Sequence, residues 1–377
     1  MDSGGHVLLV RGARQLLTLH GAQGPRRGPG MREIGLIADG AVLLRDGVIE
    51  EVGPSRRVEN LASAHGAEEI DATGRVVMPG FVDSHTHLVH AGAPADGAPV
   101  DPTHLIHTTS ARRLELRARA TLAGMARHGT TTLEAKTGHG CDEAAQQKIL
   151  RVLAAVNGDP LDVVPALMAC PPHALSPAWV RRMAQRGLAV FADIPACDPN
   201  AGTLISAARE AGLKLKAHGA LPATGMGWVT VDHLDVLSDD GVRVLANSDA
   251  IATLLPCEDF GAPKPLPARA LIDAGAAVAL ATGFDPRAIP VYSMQMALAL
   301  AARAGMTAAE AVCAATINGA WALGRGQMTG SLEPGKQADL IVLNVPDYRE
   351  AVHYFGINLV HMTVKKGAVI YREGAVA

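Results

Sequence analysis

The segment Pro79-Gly-Phe-Val-Asp-Ser-His85-Thr-His87 ends an apolar run in two histidines two residues apart. Side chains alternate along a strand, so His85 and His87 project together from a strand end. Two imidazoles on one face suit a single metal ion. Two more histidines close later apolar runs: His218 follows Leu213-Lys-Leu-Lys-Ala, and His233 follows Trp228-Val-Thr-Val-Asp. Three nitrogen ligands and a water make an open, hydrolytic zinc-type site. In such a site the bound water loses its proton near about pH 7. A single histidine at a strand end is more often a hydrogen-bonded structural residue; the joint placement is what points to chemistry.

The stretches between these histidines must position them. From residue 76 onward, helical patterns alternate with short apolar strands. Amphipathic stretches at 112–128, 143–157, 179–186 and 201–211 are each followed by a strand pattern, and three more strand patterns follow at 229–233, 250–255 and 276–282. About eight such repeats over roughly 250 residues predict an α/β fold, a (β/α)8 TIM-like barrel. Chemistry in that architecture sits at the C-terminal strand ends, where all four histidines fall. Both chain ends read differently. Residues 1–78 carry short alternating strands, with Asp46-Gly47 as a hairpin signal. Residues 21–31, rich in Gly, Pro and Arg, read as an exposed loop. Strand patterns return within residues 326–377. The expected organisation is a composite β-sandwich from residues 1–78 plus 326–377 around a barrel of residues 79–325.

Bulk properties narrow the function. The 377 residues carry a formal charge of −3 and only 3% aromatic residues, which gives nucleic acid neither an electrostatic attraction nor a stacking platform. Five scattered cysteines form no CxxC pair, against a disulfide scaffold or a zinc ribbon. The first residues show no cleavable signal pattern and no segment reads as a membrane span, so a cytoplasmic protein is expected.

The chain resembles the amidohydrolase superfamily and, within it, the imidazolonepropionase family. The resemblance is carried by PGFVDSHTHLVHAG at 79–92, GTTTLEAKTGHG at 129–140, Asp232-His-Leu, ALATGFDP at 279–286, ATINGA at 315–320, GSLEPGKQADLIV at 330–342 and YFGIN at 354–358. It implies one divalent metal ion per chain, zinc or iron, with His85, His87 and His218 as ligands. It implies that His233 polarises the substrate carbonyl and steadies the hydrolytic water, and that the protein is a homodimer acting on a small cyclic substrate.

Several positions depart from that pattern. The family's strand-8 aspartate, a ligand and proton acceptor, is replaced by Gly283, in Thr282-Gly-Phe-Asp285-Pro. Its general-base glutamate falls at Leu221, and its propionate-binding arginine near Pro94. Two lost acid/base groups, each contributing about 10²–10⁴-fold, weigh against an unchanged reaction. Asp285 is the one carboxylate near the strand-8 end and is expected, with His233 and His139, to be catalytic. His139, His173 and His90 occupy rim loops and are expected to contact substrate, whereas His104 and His107 read as solvated. Lys136, at the position of a carboxylated lysine in other superfamily members, is left outside the site. The expected activity is metal-assisted hydrolysis of a C–N bond in a small cyclic amide other than imidazolonepropionate. The alternatives are a lyase, isomerase or cyclase, or a non-catalytic ligand-binding homologue.

Overall fold

The computed structural model describes residues 6–21, 23–92, 101–138, 141–170, 172–195, 198–219, 226–234, 237–258, 260 and 266–374. The N-terminal strands are β1 (Val7–Leu17), β2 (Leu36–Arg45), β3 (Val48–Pro54), β4 (Glu68–Asp71) and β5 (Val76–Pro79). Then come β6 (Phe81–Asp83), β7 (Thr130–Lys136), β8 (Asp162–Met168), β9 (Phe191–Pro195), β10 (Lys214–His218), β11 (Trp228–Asp232), β12 (Ile251–Leu254) and β13 (Ala277–Leu280). The chain ends in β14 (Leu340–Leu343), β15 (Val360–Lys365) and β16 (Ala368–Arg372).

Strands β6 to β13 pair in sequence order, all parallel. Just beyond the first and last of them, Thr86 and Phe284 form a parallel bridge. There the His87 N–H donates to the Phe284 carbonyl at 2.7 Å, and Gly283 N–H to that of His85 at 3.2 Å. The eight strands thus close into the barrel that the alternating pattern predicts. Helices such as Ala111–Arg127 and Glu143–Val156 cover the outside, burying Leu114, Leu122, Ile149 and Leu153 against Leu133, Val163 and Leu167. The lower interior is apolar, filled by Val82, Val164, Phe191 and Leu323.

The other sheet joins both chain ends, in the order β16-β15-β14-β5-β1-β2-β3 with β4 beside β1. Asp46 and Gly47 both have positive φ, 50° and 82°, the signature of the two-residue hairpin that their sequence predicts. Lys365 of β15 ties this sheet to the barrel floor: its Nζ lies 2.9 Å from Asp162 Oδ2 and 2.7 Å from Asp339 Oδ2.

Residues 21–31 do not form the exposed loop that their composition suggests. A 3₁₀ turn over Gly28–Arg32 buries Met31 completely. Gly28, at φ +46°, passes so close to Gly275 that a β-carbon would lie 3.1 Å from its Cα. Glycine here serves close backbone packing rather than solvation.

Candidate metal centre

The barrel mouth draws its histidines from three strand ends. Residues 85–87 are sewn between the neighbouring strands: Thr86 Oγ1 donates to the Glu134 carbonyl at 2.5 Å, and Lys136 N–H to that of Thr86 at 2.9 Å. His218 is the last residue of β10, paired with Asp232 of β11. His233 follows directly in a left-handed conformation, φ +59°, a turn uncommon for a non-glycine residue and frequent at functional sites.

These three rings converge. Each of His85, His218 and His233 offers a nitrogen within 4.8 Å of the other two. His85 Nε2 and His233 Nε2 are 3.3 Å apart, close to the edge of a tetrahedron with metal–nitrogen bonds of about 2.0–2.1 Å. The opposite ring nitrogens all face carboxylates. His85 Nδ1 lies 2.8 Å from Asp232 Oδ2, His218 Nδ1 3.3 Å from Asp193 Oδ2, and His233 Nδ1 3.3 Å from Glu258 Oε2. A carboxylate on Nδ1 fixes the tautomer that leaves Nε2 free to donate its lone pair to a metal. The donor set fits a divalent cation of the zinc or iron type.

Beneath the histidines lies a dry layer of charge. Lys136 Nζ is 2.7 Å from Asp193 Oδ2, 3.1 Å from Glu134 Oε2 and 3.3 Å from Asp232 Oδ2. Lys216 Nζ is 3.0 Å from Glu134 Oε1 and donates to the Ser84 carbonyl at 3.0 Å. All five side chains are fully buried. Burial disfavours an ammonium, but the three carboxylates hold Lys136 above the ordinary lysine range. Burial likewise works against Asp193 and Asp232, yet the neighbouring cations keep both carboxyls below their usual range. His85, Glu134 and Asp232 also approach one another closely. Lys136 and Lys216 already neutralise that group, so it is no second cation site.

The same field sets the state of the imidazoles. Burial and Lys136 push His85 well below its ordinary value. Burial and the charge of His218 push His233 down to about 3. Both rings are therefore neutral at pH 7, as metal ligation requires. For His218 burial opposes protonation, but Asp193 reverses the balance and raises it.

The other sequence-derived positions scatter. The His87 ring lies 5.7 Å from that of His85, the same separation as His218, but its nitrogens do not join the close group of three. It lines a neighbouring pocket together with His90, Cys141, Asp285 and Arg287. Asp285 is not part of the close group of three. Its Oδ1 accepts from the Arg287 N–H at 2.8 Å, closing a tight turn, and its Oδ2 is 3.3 Å from Arg287 Nη2. His90 is half-buried against Arg117 and Asp285, and its titration is lowered chiefly by burial. His173 is exposed. His104 is exposed too, and His107 pairs with Asp142 at 3.1 Å. His139, Leu221 and Pro94 lie outside the described residues.

Sequence reasoning passed over Glu258, Asp193, Asp232, Glu134, Lys136 and Lys216 as site residues. A signal existed for two of them. Glu134 and Lys136 alternate with Leu133 and Ala135, so two opposite charges share one face of an apolar strand.

Comparison with known proteins supplies a family. Residues 215–370 and 68–115 match models described as the amidohydrolase family. Imidazolonepropionase from Geobacillus kaustophilus is 35% identical over 98% of this chain and 99% of its own. The enzyme of that name from Porphyromonas gingivalis is 36% identical over 97% of both. Among solved structures, E. coli guanine deaminase superposes with a TM-score of 0.76 at 16% identity, over 98% of this chain and 99% of its own. A mutant atrazine chlorohydrolase from Arthrobacter aurescens, complexed with zinc and atraton, gives 0.76 at 20% identity over 97% and 95%. At such identities the structural matches speak for the fold alone. No helix among the described residues is long and apolar enough to cross a membrane.

Proposed function

This chain belongs to the amidohydrolase family, alongside the imidazolonepropionases, and from that premise we propose that it hydrolyses a C–N bond in a small cyclic amide with one divalent metal ion. The observation that supports this most is the convergence of His85, His218 and His233 within 4.8 Å, with a carboxylate behind every ring. His85, His218 and His233 are the residues that would hold zinc or iron, with His87 at the edge of the set. The ion, when bound, supplies Lewis acidity toward a carbonyl and lowers the pKa of a water.

The chain's own residues do the rest. Asp232 and Asp193 hold the tautomers and orientations of His85 and His218. Lys136 keeps both carboxyls ionised. The pocket beside His87 offers His90 and Arg287 as polar contacts on its wall. His139 and His173 complete the proposed substrate contacts.

The substrate we propose is a cyclic amide other than imidazolonepropionate. By the resemblance, the family's acid falls at Gly283, its base at Leu221 and its arginine near Pro94, and Arg287 in the pocket already faces Asp285. Protein purified without chelator, analysed for metal and assayed on 4-imidazolone-5-propanoate beside cyclic ureas, lactams and hydantoins, tests the reading. About one metal per chain with turnover of a panel compound supports it. Metal-free, inert protein refutes it, and efficient turnover of 4-imidazolone-5-propanoate refutes the substrate part.

A further inference from the structure

We infer that Glu258, reaching in from the loop after β12, supplies the carboxylate that strand 8 of this barrel lacks, and that it does so by orienting His233 as the third nitrogen donor. The inference rests on the metal-site reading above and adds to it a residue that neither the sequence motifs nor the resemblance singles out.

Two independent observations place Glu258 there. Its Oε2 lies 3.3 Å from His233 Nδ1, while the opposite nitrogen of the same ring lies 3.3 Å from His85 Nε2. The carboxylate and the donor group therefore sit at the two ends of one imidazole, the geometry of an oriented metal ligand. Glu258 also lies beside the strand-8 end. A β-carbon built on Gly283 would lie 3.4 Å from that same Oε2 and 2.9 Å from Leu255 Cδ2. The glycine leaves open the space that Glu258 and Leu255 share. The acid missing from one strand is thus replaced by an acid from the adjacent one.

The arrangement repeats what the other two rings do. Asp232 serves His85 and Asp193 serves His218 from the dry layer below. His233 feels Asp232 and Asp193 through space, while its Nδ1 faces Glu258. Glu258 serves it from the rim, where its side chain is 39% exposed. The loop that carries it is a turn pinned by Glu258 N–H donating to the Leu255 carbonyl at 3.0 Å. Leu255 itself is buried, so the turn has an apolar anchor. Glu258 is a positioning residue: it acts on the metal through His233.

The test measures Zn²⁺ affinity by competition with a chromophoric chelator, and the visible spectrum of the Co²⁺-loaded protein, for wild type, H85A, E258A and E258Q. The expected result is a loss of about 10–100-fold in Zn²⁺ affinity for E258A, with a changed Co²⁺ spectrum. E258Q, which keeps an acceptor oxygen, loses less. Circular dichroism and thermal melting of E258A match wild type, because the side chain is partly exposed. Wild-type affinity and an unchanged Co²⁺ spectrum in E258A, with affinity lost in H85A, overturn the role of Glu258 and leave the metal-site reading standing. Wild-type protein that binds neither Zn²⁺ nor Co²⁺ overturns both.

Discussion

Asp193 and Asp232 stand on either side of the Lys136 ammonium, at 2.7 and 3.3 Å, and each turns the same Oδ2 toward a rim histidine. One buried cation therefore sets the charge state of two histidine partners on different strands. The sequence places Lys136 at the end of β7, at the position of a carboxylated lysine in other superfamily members, and leaves it outside the expected site. The structure makes it the hub of an ion network instead, with three carboxylates within 3.3 Å.

Removing that hub leaves acids uncompensated in a dry interior. Lys136→Met is expected to lower stability by about 3–5 kcal/mol, read from urea denaturation. If it still folds, its zinc affinity falls, since Asp193 and Asp232 then gain protons and release the ring nitrogens. Unchanged stability together with unchanged zinc affinity removes the network from the account of the site.

His87 and His233 make a direct comparison. The resemblance nominates His87 as a ligand, whereas the close group contains His233. His233→Ala is therefore expected to cost more zinc affinity than His87→Ala, measured by chelator competition. His87→Ala should act mainly on KM, because His87 lines the adjacent pocket. A larger affinity loss in His87→Ala reverses the assignment.

The parts of this molecule that obey a period were legible before any coordinates. The β/α alternation gives the barrel, and Asp46-Gly47 gives a hairpin whose φ angles match. Strand-end histidines give the mouth. What the sequence conceals is which residues meet across strands. Glu258 lies 25 residues after His233 (258 − 233), on a different strand end, and no local pattern pairs them. Asp285 shows the converse. Its nearness to Gly283 in sequence suggests an inward acid, but Asp285-Pro-Arg287 closes on itself, and the Arg287 N–H claims the carboxylate. Met31 is hidden for a third reason: Gly, Pro and Arg usually mark solvated turns, and here they let the backbone pass close to Gly275.

Acid sensitivity should come from a carboxylate far from the mouth. The buried Glu310 accepts from the Thr307 N–H at 2.8 Å and pairs with Arg269 at 2.9 Å and Arg32 at 3.0 Å. Burial alone would raise its pKa, but these donors hold it at about 2. A carboxyl depressed by folding stabilises the native state above its ordinary value near 4.5. That contribution, on the order of 2–3 kcal/mol, drains away as pH falls from there toward about 2. Glu310→Gln should lower the melting temperature at pH 7 and flatten its acid dependence over that interval. A variant with the wild-type slope shows that other carboxyls dominate.

Restoring an acid to strand 8 tests whether the two positions compete. Gly283 has φ +68°, a conformation in which aspartate is tolerated better than most residues. Its β-carbon would press on Leu255 Cδ2 at 2.9 Å, the end of a movable side chain, and would bring a second carboxylate beside Glu258. Gly283→Asp alone is therefore expected to lose about 1–2 kcal/mol of stability and to gain little zinc affinity, because like charges crowd one place. Joined to Glu258→Ala, the same substitution should recover part of the affinity that Glu258→Ala loses. The double-mutant cycle would then be non-additive, as for residues that share a contact. Additive effects in the four zinc titrations would show that residues 258 and 283 act on separate features, and that the rim carboxylate does not stand in for the strand-8 acid.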